Sequence, residues 1–164
     1  MKRPQVFLLL GGVAALLLLK TPVRDAMTNF IGYRFYKALA FKICNELGFG
    51  PVETKYALGL IETESDWNPL AYKWEKALNT ASYGLTQILY TTAVSDMKYK
   101  GTPEGLYDPE TNLRMGLGFL KKKWVQYNWN LEAGVEAYNA GHEIKNMSSA
   151  YYSRVVAHSE KYTV

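Results

Sequence analysis

The sequence predicts one all-α domain behind a hydrophobic amino-terminal segment, and three observations support this. Apolar residues recur at helical spacing along most of the chain after residue 25. No Asn-Gly or Asp-Gly pair stands between alternating strands, so the usual hairpin signal is missing. The 164 residues are too few for two domains, and 48% hydrophobic with 21% charged residues is typical of a folded chain.

Capping residues and prolines mark the expected helix starts and ends. We expect six helices: from Thr28 to about Leu47 with Gly48 as its stop, from Pro51 to before Asn68-Pro69, from Leu85 to Met97, from Asp108-Pro109 through Trp124, from Asn130 to Gly141, and from Ser148 or Ser149 onward. The segment from Leu70 to Tyr83 has no clear period and is predicted to be a loop.

The amino terminus carries an unbroken apolar run of 14 residues, Val6 to Leu19, between Lys2-Arg3 and Lys20. As a helix it would span about 21 Å, which is short against a hydrocarbon core of about 30 Å. No small-residue cleavage pattern follows the run. We favour an uncleaved signal-anchor in residues 1–24. A cleaved signal peptide and a buried core helix remain open. The anchor predicts a domain of residues 25–164 held at a membrane in the periplasm or extracytoplasmic space, the membrane of a virion being an alternative.

The net charge of +4 comes from the amino terminus. Four basic residues and no acidic residue lie within residues 1–24, which leaves 15 basic and 15 acidic residues in the rest of the chain. A neutral body argues against a nucleic-acid partner. Two histidines and one cysteine leave little for a disulfide framework or a His/Cys metal centre, so we expect no metal and no cofactor. Cys44 is predicted to be a buried free thiol.

Glu64 stands out among the acidic residues. It follows Ala57, Leu60 and Ile61 at helical spacing, so its carboxyl lies on an apolar stripe at the end of the second helix. Burial and the negative helix terminus both disfavour the charged form, and the raised pKa suits a general acid. A carboxylate that only caps a neighbouring loop remains the alternative. Glu62 is off the stripe and is expected to face solvent.

Four further motifs follow in a fixed order. They are Glu64-Ser65-Asp66-Trp67-Asn68-Pro69, Gly84-Leu85-Thr86-Gln87, Asp108-Pro109-Glu110-Thr111-Asn112-Leu113, and Ala137-Tyr138-Asn139-Ala140-Gly141 with Tyr151-Tyr152-Ser153-Arg154-Val155 behind it. Together they resemble the soluble lytic transglycosylase (SLT) family of lysozyme-like muramidases, over about Val52 to Val156. The resemblance implies a lysozyme-like (SLT/goose-type) helical fold.

The resemblance also implies the site residues. Glu64 matches the catalytic acid, Gln87 and Tyr138 match residues lining the sugar cleft, Ser65, Asn68 and Asn139 match positions that support the catalytic helix and the cleft, and Gly84 matches tight backbone where a side chain would crowd the substrate. Tyr138 is expected to hydrogen-bond Glu64 or the substrate. The aromatic residues Trp67, Tyr83 and Tyr90 lie next to these motifs and are candidates for stacking on sugars.

The implied activity is cleavage of the β-1,4 bond between N-acetylmuramic acid and N-acetylglucosamine in peptidoglycan, with a 1,6-anhydro product. A hydrolytic muramidase of the goose-lysozyme kind is one alternative, and a non-catalytic wall-binding or assembly protein is another. Local opening of the wall would serve the passage of a phage genome or a secretion apparatus. The chain departs from the family at two residues, because Thr86 replaces a Met and Leu89 stands where many members have a second Met. The gap between Glu64 and Gln87 is also longer. A carboxylate from this gap, such as Glu75, would activate water if it entered the cleft.

Overall fold

The computed structural model describes residues 21–141 and 149–164, with side chains from residue 31 onward. It contains two compact units, residues 1–35 and residues 36–164. The described part of the first unit belongs to helix α1, Thr21–Glu46. Residues 1–20 of the predicted anchor lie outside the described residues. Within the described ranges, no helix combines the length and apolar character needed to cross a bilayer.

The second unit is mainly helical, which confirms the predicted fold class. After α1 the chain forms α2 (Pro51–Ser65), β1 (Tyr72–Glu75), β2 (Thr80–Tyr83), β3 (Ile88–Leu89), α3 (Tyr90–Ser95), α4 (Pro109–Gln126), α5 (Leu131–Ala140) and α6 (Ala150–Ser159), with short 3₁₀ turns at Lys76–Leu78 and Pro103–Tyr107.

Most predicted helix boundaries are confirmed by the capping geometry. The side chains of Asp108, Asn130 and Ser149 each accept a hydrogen bond from a backbone N–H in the first turn of the following helix. Gly48 and Gly141 end α1 and α5 with positive φ angles of 75° and 68°. These caps satisfy backbone groups that the helix itself leaves unpaired.

Two helix predictions are wrong. Thr28 does not start the first helix, because α1 already includes residues from Thr21. The predicted helix from Leu85 to Met97 is interrupted by a turn and by β3. Gln87 has a φ of 45°, and the backbone N–H of Thr86 bonds to the side chain of Asn112 at 2.9 Å. The positive φ of Gln87 is incompatible with a right-handed helix, so the helix begins only at Tyr90.

The segment predicted as a loop instead contains β1 and β2, which form an antiparallel sheet with β3 in the order β1-β2-β3. In the hairpin, Lys73 pairs with Ser82 and Trp74 pairs with Ala81. The connection is a 3₁₀ turn that ends at Asn79 in the left-handed conformation, with a φ of 48°. Asn tolerates this conformation, so the hairpin forms without an Asn-Gly pair.

The core is formed mainly by α2, α4, α5 and α6. The buried apolar side chains include Ile43, Leu58, Leu60, Ile61, Leu85, Leu113, Leu117, Leu120, Trp124, Val135 and Val155. Cys44 is buried and free, as predicted. Helix α2 lies against α6 so closely that a Cβ on Gly59 would stand 2.5 Å from the carbonyl oxygen of Val155. Glycine at this position therefore allows the contact that holds the carboxyl end of α2 in place.

Candidate active site

A cleft formed by two adjoining cavities runs past the carboxyl end of α2. The cavities have volumes of about 630 and 700 Å³. Thr63, Glu64, Lys73 and Gln87 line both of them. We call the cavity of about 630 Å³ the first cavity and the other the second. The remaining walls of the first cavity come from the β-sheet, α4, α5 and α6, so residues far apart in sequence meet around Glu64.

Glu64 lies in the last turn of α2 and is half-buried. The hydroxyl of Tyr151, on α6, donates a hydrogen bond to its Oε1. Among the described residues no hydrogen-bond partner of Oε2 is found, and no backbone N–H donates to this carboxyl. The alternative of a loop-capping carboxylate therefore has no support in the described part of the chain.

Burial raises the pKa of Glu64 to about 7, in the direction predicted from the sequence. The hydrogen bond from Tyr151 and the positive charges of Lys73 and Arg154 act in the opposite direction, and the negative charge of Glu75 adds to the increase. A carboxyl with this pKa exchanges its proton readily near neutral pH, as a group that serves as acid and then as base must.

Tyr138 lines the cleft from α5, but its hydroxyl does not bond to Glu64. It donates to the carbonyl oxygen of Thr86 at 2.8 Å, and its ring packs on Phe119. Burial and the negative charge of Glu64 raise the pKa of Tyr138, so the phenol stays neutral. Of the two partners expected for Tyr138, Glu64 or the substrate, Glu64 is not one, because Tyr151 donates to that carboxyl.

Gln87 lines both cavities, as the resemblance implies. Its Nε2 donates to the carbonyl oxygens of Ala71 and Gly84, at 3.1 and 3.0 Å. These bonds fix the amide plane. No partner of its Oε1 is found among the described residues, which leaves this acceptor available to a ligand.

Ser65, Asn68 and Asn139 support or border the cleft. Ser65 donates from its Oγ to the carbonyl oxygen of Leu85 at 2.7 Å and so ties the end of α2 to the turn before Gln87. The side chain of Asn68 accepts from the backbone N–H of Leu70 at 3.0 Å and borders the second cavity. Asn139 is exposed and lines the first cavity.

Gly84 lines neither cavity, so the expected reason for a glycine there is wrong. Its φ is +67°, and a Cβ would stand 2.5 Å from Nδ2 of Asn112. A side chain would displace Asn112 rather than crowd a substrate. Gly84 thus acts on the cleft only through the packing of the turn that carries Gln87.

Asn112 organises this turn, although the sequence alone predicts no role for it. It is fully buried on α4. Its Oδ1 accepts from the backbone N–H and the hydroxyl of Thr86, and its Nδ2 donates to the carbonyl oxygens of Tyr83 and Leu106. All four hydrogen-bonding positions of the amide are therefore used, two of them by Thr86.

Three charged residues of the cleft were also missed or left open. Lys73 and Glu75 come from β1, and Arg154 comes from α6, next to Tyr151. The extra residues between Glu64 and Gln87 thus enter the cleft as a strand. The sequence signal for this strand is the length of the gap between Glu64 and Gln87.

Other expectations on nearby residues are wrong. Trp67 is buried and donates from its indole N–H to the hydroxyl of Tyr162 at 3.0 Å. Neither Tyr83 nor Tyr90 lines either cavity. Glu62 does not face solvent, because Tyr162 and Lys161 of the carboxyl-terminal segment fold over it and bond to its carboxylate.

No metal centre is found in residues 21–141 and 149–164, where no group of three or more His, Cys, Asp and Glu side chains could hold an ion.

Comparison with known proteins agrees with this geometry. A soluble lytic murein transglycosylase of Escherichia coli (strain K12) is 35% identical over 95 residues, which cover 55% of this chain and 14% of that protein. A membrane-bound lytic murein transglycosylase C of Haemophilus influenzae (strain Rd) is 32% identical over 124 residues, which cover 66% of this chain and 32% of that protein. The chain therefore matches less than a third of the length of either relative.

The solved structure of an inactive mutant of lytic transglycosylase Slt from Pseudomonas aeruginosa has the same fold, with a TM-score of 0.53, 17% identity, and coverage of 75% of this chain and 21% of that one. The helical body and its cleft thus define a lysozyme-like domain. The family model described as the transglycosylase SLT domain matches residues 50–156, and the chain belongs to this family.

Proposed function

We propose that this chain is a peptidoglycan lytic transglycosylase that cleaves the β-1,4 bond between N-acetylmuramic acid and N-acetylglucosamine and leaves a 1,6-anhydro end. The observation that carries the proposal is the half-buried carboxyl of Glu64, whose pKa is about 7 and which faces the cleft. Family membership and the names of the relatives, both lytic murein transglycosylases, support the choice of substrate.

In the proposed mechanism Glu64 acts twice. Protonated Glu64 gives its proton to the glycosidic oxygen as the bond from that oxygen to the anomeric carbon breaks. The acetamido group of the substrate relieves the positive charge at the anomeric carbon. Ionised Glu64 then takes the proton of the C6 hydroxyl, and O6 bonds to the anomeric carbon. The proton that Glu64 lost is thereby restored, and no water is consumed.

The other candidate residues would orient the sugar and hold Glu64. Oε1 of Gln87 would accept from a sugar N–H or O–H, because its amide is already fixed by two backbone carbonyls. Tyr138 would hold the backbone of Thr86, and so the position of Gln87. Ser65 would fix the end of α2, and Asn68 and Asn139 would border the bound glycan.

We also propose that residues 1–24 form a membrane anchor and that residues 25–164 act on the wall from the periplasm or another extracytoplasmic space. The apolar run of 14 residues and its basic flanks support the anchor. One relative is named as membrane-bound. A small wall-cutting domain held at a membrane suits local opening of the wall for a phage genome or a secretion apparatus.

Product analysis on purified peptidoglycan tests the activity. Wild-type protein is expected to release muropeptides with anhydro ends, and Glu64→Gln is expected to lower release by at least about 100-fold. Glu104→Gln is the matched control, because Glu104 is exposed and lies outside both cavities. Binding without release by the wild-type protein would instead identify a wall-binding protein, and release unchanged in Glu64→Gln would overturn the mechanism.

A further inference from the structure

Strand β1 carries two charged side chains into the cleft. Lys73 and Glu75 line the first cavity, and so does Ser82, the residue of β2 that pairs with Lys73. The intervening Trp74 and the preceding Tyr72 do not line that cavity and are exposed. Successive side chains of β1 therefore point alternately toward the cleft and toward solvent, as in any strand with one covered face. The register of the hairpin thus sets the position of Glu75.

The carboxylate of Glu75 is held within the cleft. Its Oε1 lies 2.8 Å from Nζ of Lys73 and accepts from Oγ of Ser82 at 3.4 Å. The side chain is 26% exposed, whereas that of Lys73 is 67% exposed. No partner of Oε2 is found among the described residues. One carboxylate oxygen is thus anchored, and the other is available to a molecule in the cleft.

Glu64 and Glu75 enter the same cavity from different elements, α2 and β1. The negative charge of Glu75 adds to the rise in the pKa of Glu64. A glycosidase that uses water requires such a pair, with one carboxyl protonated as the acid and the other ionised as the base. The carboxyl assigned to the base is Glu75, which is paired with the Nζ of Lys73.

We propose that Glu75 is a second catalytic carboxylate, which activates a water molecule and gives this enzyme a hydrolytic branch beside the 1,6-anhydro reaction. The inference rests on the proposed function, because it concerns the same bond of the same substrate. Glu64 gives its proton to the leaving oxygen, the water oxygen bonds to the anomeric carbon, and Glu75 takes one proton of that water. Exchange with solvent then moves this proton from Glu75 and reprotonates Glu64.

Digestion in water enriched in ¹⁸O measures the two branches separately. Hydrolysis places ¹⁸O at the new reducing end, and the 1,6-anhydro product takes up none. We expect the wild-type protein to give both products and Glu75→Gln to lower the ratio of labelled to anhydro ends by at least about tenfold. Both branches begin with the same proton transfer from Glu64, so a change in that step lowers both products equally. The ratio of labelled to anhydro ends therefore reports on Glu75 alone.

Glu104→Gln is the matched control, since Glu104 is exposed and lies outside both cavities. We expect it to keep the wild-type ratio of labelled to anhydro ends. An unchanged ratio in Glu75→Gln would overturn the proposal, and so would anhydro ends alone from the wild-type protein. The latter result would leave the proposed function intact, whereas release by Glu64→Gln at the wild-type rate would overturn the proposed function itself.

Discussion

Tyr151 and Glu64 lie 87 residues apart in the sequence, and the hydroxyl of Tyr151 donates a hydrogen bond to Oε1 of Glu64. The tyrosine is buried on α6, and the carboxyl is at the end of α2. Burial of Glu64 raises its pKa, and this hydrogen bond limits the increase by favouring the ionised form. The contact between α2 and α6 therefore adjusts the acid on which the proposed mechanism depends.

Tyr151→Phe is predicted to raise the pKa of Glu64 further, because the variant loses a hydrogen bond that stabilises the carboxylate. The alkaline limb of kcat/KM for muropeptide release should therefore move to higher pH. Tyr152→Phe is the control, because the hydroxyl of Tyr152 bonds to Tyr56. An alkaline limb that stays in place in Tyr151→Phe would show that the hydrogen bond does not tune Glu64.

Glu64→Gln is predicted to stabilise the protein at pH 8. The folded-state pKa of Glu64 is raised from 4.5 to about 7, so the folded state holds this proton more tightly than the unfolded chain does, and stability falls as the pH rises through that range. Glutamine resembles the protonated carboxyl. Urea unfolding should show a gain of about 1 to 3 kcal/mol at pH 8 and little gain at pH 4.5. An equal difference at both pH values would contradict the raised pKa.

Gly59→Ala is predicted to destabilise the protein by about 1 to 3 kcal/mol, although alanine favours a helix. The new Cβ would stand 2.5 Å from the carbonyl oxygen of Val155 and 2.7 Å from the backbone nitrogen of Ser159. Gly118→Ala is the control, because its Cβ would meet only the flexible end of Met97. Thermal or urea unfolding would measure both, and equal stability of the two variants would contradict the close α2–α6 contact.

Asn112→Leu is predicted to cost about 3 to 5 kcal/mol of unfolding free energy, because it leaves several buried backbone groups unpaired. The lost partners are Thr86, Tyr83 and Leu106. The displaced turn carries Gln87, so muropeptide release should fall as well. Urea unfolding of the variant provides the test, and a loss below about 1 kcal/mol would contradict the role of Asn112.

Local sequence patterns were sufficient to predict much of the fold and to identify Glu64 as a candidate acid. The cap of Asp108 and the leucine stripe behind it predict α4, because both act within one helix. Glu64 is recognisable because its position on an apolar stripe is a property of α2 alone. Gln87 and Tyr138 were predicted as cleft residues from the family resemblance that the four motifs carry.

Long-range contacts account for what the sequence did not reveal. Tyr151 acquires its role only when α6 packs on α2, and Glu75 reaches the cleft only through a hairpin whose turn depends on Asn79 in a left-handed conformation. Glu62 is covered by the end of the chain, which no helical period of α2 could predict. In each case the partner comes from an element that is remote in sequence.

The pH dependence of muropeptide release, measured for the wild-type protein and Glu64→Gln in parallel, tests the central claim most directly. The account predicts that wild-type release declines above about pH 7, as the carboxyl of Glu64 loses its proton, and that Glu64→Gln shows no comparable release at any pH. Release by Glu64→Gln at the wild-type rate, with the same pH profile, would contradict it.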